Sequence, residues 1–413
     1  GNPFQYVAAY TQGETNMEKG YVLDGNKLTM GMVAPGVVLD NLSWVVTKTA
    51  NIGVDFDLWN GKLFGTVEVY RRVNDGLLAS RIMDIPNTFG ASFPQENINS
   101  EENTGFEIEL GTRGKIGKDF SYNISANYSY TRFKFLDIEH NPYQSSMDRF
   151  LNGYDHRTIG GMWNHSGGGM WIQKTDGQFQ NISEFERAPL YGGSNGNSMM
   201  LPGAFRIVDR NGDGVIGYDD QLPESRRAGA NPPYQFGLNL GFTYKSFDLN
   251  ILFQGAAGYV IGYANDDVFG YGSKTNPTLM KKYMNRWHTA NITDDPYNPA
   301  TQGVSGKFPA LRRDFVGTQD NGNSWGVGAI PFWNPNATYL RLKSLELGYT
   351  LPKNLTRKVG ISDLRVFVNG FNLLTFCNSL LKDADPEREE RDWGASLAYP
   401  LMKSYNIGLN INF

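Results

Sequence analysis

Cysteine and histidine are nearly missing from this chain. One cysteine, Cys377, in 413 residues allows no intrachain disulfide, and four scattered histidines make no zinc spacing, metalloprotease pair or catalytic triad. No apolar run reaches the roughly 18 residues of a membrane-spanning helix. Charge of one sign is scarce too: 38 Lys and Arg against 42 Asp and Glu leave a net charge of −4, without the basic patch that nucleic acid requires. Gly1–Tyr10 lacks the basic start and apolar core of a signal peptide, so the chain reads as a mature segment or a fragment.

Glycine and aromatic residues are plentiful. Gly occurs 48 times, above the usual share of about 7%, whereas Pro at 19 is ordinary. An aromatic content of 13% argues against disorder, because disordered chains are poor in the residues that bury apolar area. The mean hydropathy of −0.43 looks like that of a protein dissolved in water. A transmembrane β-strand gives the same average, since it spans with about ten residues and turns half of them to a polar lumen.

Strand-type alternation recurs throughout, and no segment longer than a few turns reads as an amphipathic helix. Ile52, Val54, Phe56 and Leu58 alternate with Asn51, Gly53, Asp55 and Asp57. Phe106, Ile108 and Leu110 alternate with Gly105, Glu107 and Glu109, and Tyr122, Ile124, Ala126, Tyr128 and Tyr130 share one face of the next segment. Phe236–Tyr244 and Phe247–Phe253 read as a hairpin around Lys245-Ser246. The pattern predicts an all-β, antiparallel fold of about ten strands, near 43–58, 62–78, 103–113, 120–136, 157–173, 233–245, 247–258, 339–350, 363–375 and 404–413.

The connections alternate in length. Those near 59–61, 114–119 and 245–246 are short, while 174–232 and 259–338 are long. Short turns at one end and long loops at the other are the asymmetry of an outer-membrane barrel, with the long loops extracellular. A β-sandwich also alternates and is the competing architecture. The last segment places Tyr405, Ile407, Leu409, Ile411 and Phe413 on one face, a stripe that would aggregate in water but is buried when it faces lipid.

A series of motifs then falls in a telling order. It begins with Asn41-Leu42-Ser43-Trp44 before Ile52-Gly53-Val54-Asp55-Phe56, then Val69-Tyr70-Arg71 with Leu77-Leu78, and Asn103-Thr104-Gly105-Phe106-Glu107. It continues with Pro202-Gly203 and its acidic loop, Pro233-Tyr234 with Gly237, Tyr244-Lys245-Ser246-Phe247-Asp248-Leu249 and Gln254-Gly255. It closes with Tyr339-Leu340-Arg341-Leu342-Lys343, Leu347-Gly348-Tyr349-Thr350-Leu351-Pro352, Asn372-Leu373-Leu374-Thr375, Asp385-Pro386-Glu387 and Tyr399-Pro400. Across 37–413 this set resembles the SusC-like TonB-dependent transporters of Bacteroides-type bacteria, although Val45 stands where the family has Glu. The resemblance implies the C-terminal part of a large plugged barrel, with residues 1–36 a loop or the end of a preceding strand. It also implies outer-membrane location, a SusD-type surface lipoprotein as lid, energy from TonB, and an oligosaccharide or peptide ligand. The plug, the TonB-coupling segment and the earlier strands would lie outside this sequence. Barrels of this kind have about 22 strands, and ten cannot close that circumference.

Two groups of residues are candidate binding sites. Asp209-Arg210-Asn211-Gly212-Asp213-Gly214-Val215-Ile216-Gly217-Tyr218-Asp219-Asp220 matches a calcium-loop template at its first, third, fifth, sixth and last positions. Calcium takes hard oxygens, which Asp209, Asn211, Asp213, the Val215 carbonyl and Asp220 would supply, with Gly214 at the sharp turn. Asp replaces the usual final Glu and no helices flank the loop, so a structural Ca2+ pinning an extracellular loop is expected; a metal-free Asx turn is the alternative. Trp163, Trp171, Phe179, Trp325 and Trp333 are candidate substrate contacts, because aromatic rings stack on sugars or hold peptide side chains. The alternative is that such rings, with Trp287, Phe185 and Tyr191, pack the loops together or sit in the interfacial aromatic girdle.

Catalysis finds little support. The pairs Glu107/Glu109 and Asp55/Asp57 each line one polar strand face and read as a hydrated lumen wall, not an acid/base dyad. The charged run Asp385–Arg391 reads as a solvated loop. The leading expectation is therefore import of oligomeric nutrients, glycans ahead of peptides, with no bond made or broken. A SusC-like barrel acting as a structural component of a larger outer-membrane complex is the second. A soluble carbohydrate-binding or hydrolytic β-domain is the third.

Overall fold

The fold is that of a computed structural model whose described residues are 11–12, 20–23, 27–30, 32–33, 42–80, 95–137, 171–191, 197, 202–217, 220–223, 226–228, 232–261, 281–310, 330–382, 385–387 and 401–413. The chain forms two compact units, one of residues 1–51, 70–104 and 133–144, the other of 52–69, 105–132 and 145–413.

Nine long strands build one sheet: β1 (Val46–Leu58), β2 (Leu63–Ser80), β3 (Gln95–Ile116), β4 (Phe120–Asp137), β5 (Tyr234–Tyr244), β6 (Phe247–Ala257), β7 (Tyr339–Thr350), β8 (Asp363–Phe376) and β9 (Ser404–Asn412). Their spatial order is their chain order, with β1 and β9 at the two edges. The pairings from β4 through β9 are all antiparallel. Among the described residues β1 and β9 are not hydrogen-bonded to each other. In lipid each open edge needs a pairing partner, because an unsatisfied backbone group there costs several kcal/mol.

Register explains why one face is apolar from strand to strand. Leu240 stands opposite Ile124 on one side and Ile251 on the other, and Ile251 opposite Leu345. Leu347 pairs with Val368, and Val368 with Ile407. These side chains point outward: Ile407 is 82% exposed and Leu409 61%. A one-residue slip would turn every one of them inward, so register and face are set together.

Aromatic rows border this apolar band. At the end with short turns, Phe120 stands opposite Tyr244, Tyr244 opposite Phe247, and Phe247 opposite Tyr349. At the other end Tyr130 and Tyr234 pair, with ring centroids 4.9 Å apart. Ten residues separate Tyr234 from Tyr244 along β5. At about 3.4 Å per residue and a tilt of about 40° that is about 26 Å, the height of an outer-membrane apolar band.

Strand β3 begins eight residues before the expected 103. Residues 95–102 have no apolar alternation, and polar cross-links among neighbouring strands hold them instead. Glu102, its side chain buried, lies 3.0 Å from Lys134 Nζ and accepts from Arg71 Nε at 2.5 Å. Asn97 donates to the carbonyls of Ser43 and Gly76, Asn74 donates to Glu101, and Ser100 to Asp137. A strand outside lipid needs its backbone ladder but no apolar face.

The strand expected near 157–173 is not found as drawn. Residues 157–170 lie outside the described residues, and Trp171–Gln173 pairs with Gln221–Pro223 in a two-stranded piece between β4 and β5. The remaining core is built by loops, not by the sheet. Phe179, Phe185, Tyr191, Phe205, Ile207, Ile216, Tyr283, Phe308 and Trp333 form one buried cluster with Tyr259 and Tyr339 at the strand ends.

Candidate functional site

The second face of the sheet is polar, because alternation puts the intervening residues there. Asn123 faces Gly241, Gly241 faces Asn250, Asn250 faces Glu346, Glu346 faces Asn369 and Asn369 faces Asn406, a row across six strands. Toward the short-turn end, Arg365 Nε donates to Asp248 Oδ1 at 3.0 Å, and Arg365 Nη2 donates to Asp248 Oδ2 and, at 2.7 Å, to Glu346 Oε1. Gly348 makes room for this fork, since a Cβ there would collide with Arg365 Nη2.

At the long-loop end the polar face opens into a cavity of about 490 Å3. Its floor presents the amides of Asn127, Gln235 and Gln254, and its wall is Tyr259, Tyr339 and Glu387. Asn127 and Gln235 are exposed. The wall hydroxyls are already engaged: Tyr259 Oη donates to the Pro386 carbonyl and Tyr339 Oη to Glu387 Oε1, each at 2.6 Å. Burial, then the nearby Glu387 and Asp385 carboxylates, push the Tyr259 phenol well above its ordinary range, so it stays a neutral donor.

Arg341 anchors that wall. It projects from β7 and is almost fully buried, with Nη2 donating to Asp385 Oδ1 at 2.8 Å and Nε to Thr375 Oγ1 at 3.1 Å. Its Nη1 lies 2.9 Å from Glu387 Oε1 but off the line of its N–H bonds, so that contact is an ion pair without a hydrogen bond. The expectation of a solvated 385–391 loop is therefore corrected for its first three residues. Asp385 and Pro386 are buried and Glu387 half-buried, because the Arg341 guanidinium pairs with Asp385 and lies against Glu387; residues 388–391 lie outside the described residues. Sequence reasoning missed this cluster. The available signal was Arg341 itself, a permanent cation on a strand position beside an aromatic, which demands a carboxylate partner when buried.

The expected aromatic contacts are dispersed. Trp163 and Trp325 lie outside the described residues, and Trp171 sits opposite Pro223. Phe179 and Trp333 are 1% and 3% exposed in the loop cluster, so they pack loops and offer no open ring face in this structure. Phe179 packs tilted against Phe185 with centroids 4.2 Å apart, and Trp333 meets Phe332 edge-on at 4.7 Å.

The acidic loop is compact. Asp209 accepts from the amides of Gly212 (2.7 Å) and Gly214 (2.9 Å), Asn211 Oδ1 from Asp213 N at 3.1 Å, and Asp213 Oδ1 from Val215 N at 2.7 Å. Gly212 and Gly214 both take positive φ, which side chains rarely adopt. Asp220, 1% exposed, closes the loop by accepting from Arg210 N and Gly217 N. Val215–Ile216 pairs with Leu190–Tyr191, and Tyr191 Oη accepts from Ile207 N at 2.9 Å. Burial pushes the Tyr191 phenol up to about 12. Among the described residues no three His, Cys, Asp or Glu side chains converge at metal-ligand spacing. A cation here would thus draw on Asn211 and on carbonyl oxygen as well, and every donor in the loop is the hard oxygen calcium takes.

A single sheet with one face lipid-like, bordered by aromatic rows, and one face polar is the wall of an outer-membrane β-barrel. No family model matches the chain. Curated proteins do: TonB-dependent receptor P3 of Formosa agariphila is 26% identical over 417 residues, covering 95% of this chain and 36% of that protein. TonB-dependent receptor SusC of Bacteroides thetaiotaomicron is 23% identical over 92% of this chain and 33% of its own length. Among solved structures, the RagAB peptide importer in its open-open state superposes with a TM-score of 0.60 at 20% identity, covering all of this chain and 38% of that one. Over nearly its whole length the chain is thus similar to TonB-dependent receptors, SusC among them. It spans 33–38% of the length of the curated relatives it matches.

Proposed function

We propose that this chain forms wall and mouth of a TonB-dependent importer of oligomeric nutrients, with a glycan as cargo. The observation that carries the reading is the 490 Å3 cavity at the long-loop end of the polar face. Its floor is neutral and amide-lined, and its one carboxylate, Glu387, shares the Arg341 cation with Asp385, which leaves one net negative charge at the wall. Amides both donate and accept, matching sugar hydroxyls, whereas a peptide's terminal carboxylate would find no free cation there. The RagAB likeness supports the fold and leaves cargo to be argued from this cavity. Trp163, Trp171 and Trp325 would add stacking surface from the loops. A SusD-type lipoprotein would cover the mouth, and energy would come through TonB.

The reading extends to one structural calcium ion at 209–220, held by Asp209, Asn211, Asp213, the Val215 carbonyl and Asp220. It would tie the loop core down beside the mouth without taking part in transport.

A deletion strain grown on defined glycans and on defined peptides tests the function. Loss of growth on one glycan, restored by the wild-type gene, supports the reading. A defect confined to peptides transfers the cargo to peptides, and undiminished growth on every substrate favours a scaffold role in a larger outer-membrane complex.

A further inference from the structure

The amide-floored cavity is held by strands that are each paired on both sides. Gln235 stands on β5 between Ser129 of β4 and Ala256 of β6, and Gln254 on β6 between Gly237 of β5 and Arg341 of β7. The floor therefore lies inside the sheet, away from the open edges at β1 and β9. Among the described residues that line it there is no Lys, Arg or His.

The nearby cation, Arg341, directs its hydrogen bonds elsewhere. A β-bulge at Asn372, where the β7–β8 register shifts between Leu342 and Ser344, leaves Arg341 opposite Thr375. Nε donates to Thr375 Oγ1 at 3.1 Å and Nη2 to Asp385 Oδ1 at 2.8 Å, and both acceptors line a separate cavity of about 320 Å3. Glu387 lines the amide-floored cavity instead. Its Oε1 accepts from Tyr339 Oη at 2.6 Å and lies 2.9 Å from Arg341 Nη1 without a hydrogen bond. Its Oε2 accepts none among the described residues, and neither wall phenol can serve it. Tyr259 Oη gives its one proton to the Pro386 carbonyl, and Tyr339 Oη gives its own to Oε1. One guanidinium between two carboxylates leaves one negative charge, and this geometry puts it on the Glu387 side.

We infer that this cavity recognises an amine-bearing sugar residue, its ammonium on Glu387 Oε2 and its hydroxyls on the amides of Gln235, Gln254 and Asn127. The inference rests on the reading of the cargo as a glycan and names the kind of sugar. A half-buried carboxylate oxygen without a donor is met best by a cation that carries N–H bonds, because charge-assisted hydrogen bonds are about twice as strong as neutral ones. An N-acetylated sugar brings no cation, and a uronic acid would add a second negative charge beside Glu387. A lysine side chain has the same ammonium, but its alkyl stem would leave the floor amides without partners.

The test is titration calorimetry of the detergent-extracted outer-membrane protein that contains this chain. The ligands are a glucosamine tetramer and its N-acetylated counterpart of the same linkage, at mildly acidic pH where the sugar amines are protonated. Wild type should bind the amine tetramer about ten- to a hundredfold more tightly, the worth of one hydrogen bond to a charged group. Glu387→Gln leaves Tyr339 an acceptor and Arg341 its pair with Asp385, and it should erase that difference. Raising the pH until the sugar amines are neutral should erase it in the wild type too, a readout that needs no variant to fold. Equal or weaker binding of the amine tetramer overturns the inference, and the glycan reading stands if the N-acetylated tetramer binds. Binding of neither tetramer overturns the inference, and capture of tetralysine in their place overturns the glycan reading as well. A preference that survives in Glu387→Gln puts the ammonium on another group and overturns the assignment.

Discussion

Arg341 and Asp385 lie 2.8 Å apart with side chains only 2% and 3% exposed, joining a strand of the barrel wall to a loop 44 residues later in the chain. Removing Arg341 strands Asp385 in a dry site, at a cost of about 3–5 kcal/mol, whereas removing Asp385 leaves Arg341 its ion pair with Glu387 and costs less. Asp385→Ala should still loosen the 377–387 segment and speed its proteolysis. Paired replacement by Met and Leu should restore much of the resistance, because it removes both charges together. Equal protease sensitivity of wild type and Asp385→Ala would show that the pair does not hold the loop.

Leu409 faces lipid on β9, paired with Val366. Leu409→Arg should destabilise the inserted barrel by about 2–4 kcal/mol if it lies near the bilayer midplane. The heat-resistant folded band on gels should fall accordingly. A normal yield would contradict the outward assignment of Ile407, Leu409 and Ile411.

The 209–220 loop should be more resistant to proteolysis with calcium than with chelator, and Asp213→Ala should abolish the difference while the barrel stays folded. Occupied oxygen distances should be about 2.3–2.6 Å. Identical digestion with calcium and chelator removes the ion from the account and leaves the Asx turns that the backbone amides already make.

Gln254→Ala at the cavity floor should weaken glycan uptake through KM by about two- to tenfold, the worth of one neutral hydrogen bond, with unchanged folded yield. Because Gln254 sits opposite Arg341 in the β6–β7 register, a drop in folded yield instead would assign it to the wall's packing.

The strands and their two faces were legible because they follow from local chemistry. Alternation in Phe236–Tyr244 or Tyr405–Phe413 is a two-residue period that survives any tertiary setting, and the observed strands agree with it closely. Residues 95–102 escaped, since a strand held by Asn97, Glu101 and Glu102 through polar cross-links has no apolar period to read. The loop aromatics were visible as residues but not as partners. Phe179 meets Phe185, Tyr191 and the Phe308 region only after long connections fold back, and composition carries no such address.

The sequence by itself determined the class of fold, the lipid-facing residues and the family likeness, because each rests on short-range period or ordered motifs. Only the tertiary structure decided that Arg341 meets Asp385 and Glu387, and that Asn127, Gln235 and Gln254 share one cavity floor. Those meetings depend on sheet register and on a bulge at Asn372, where one added residue changes which side chains face each other.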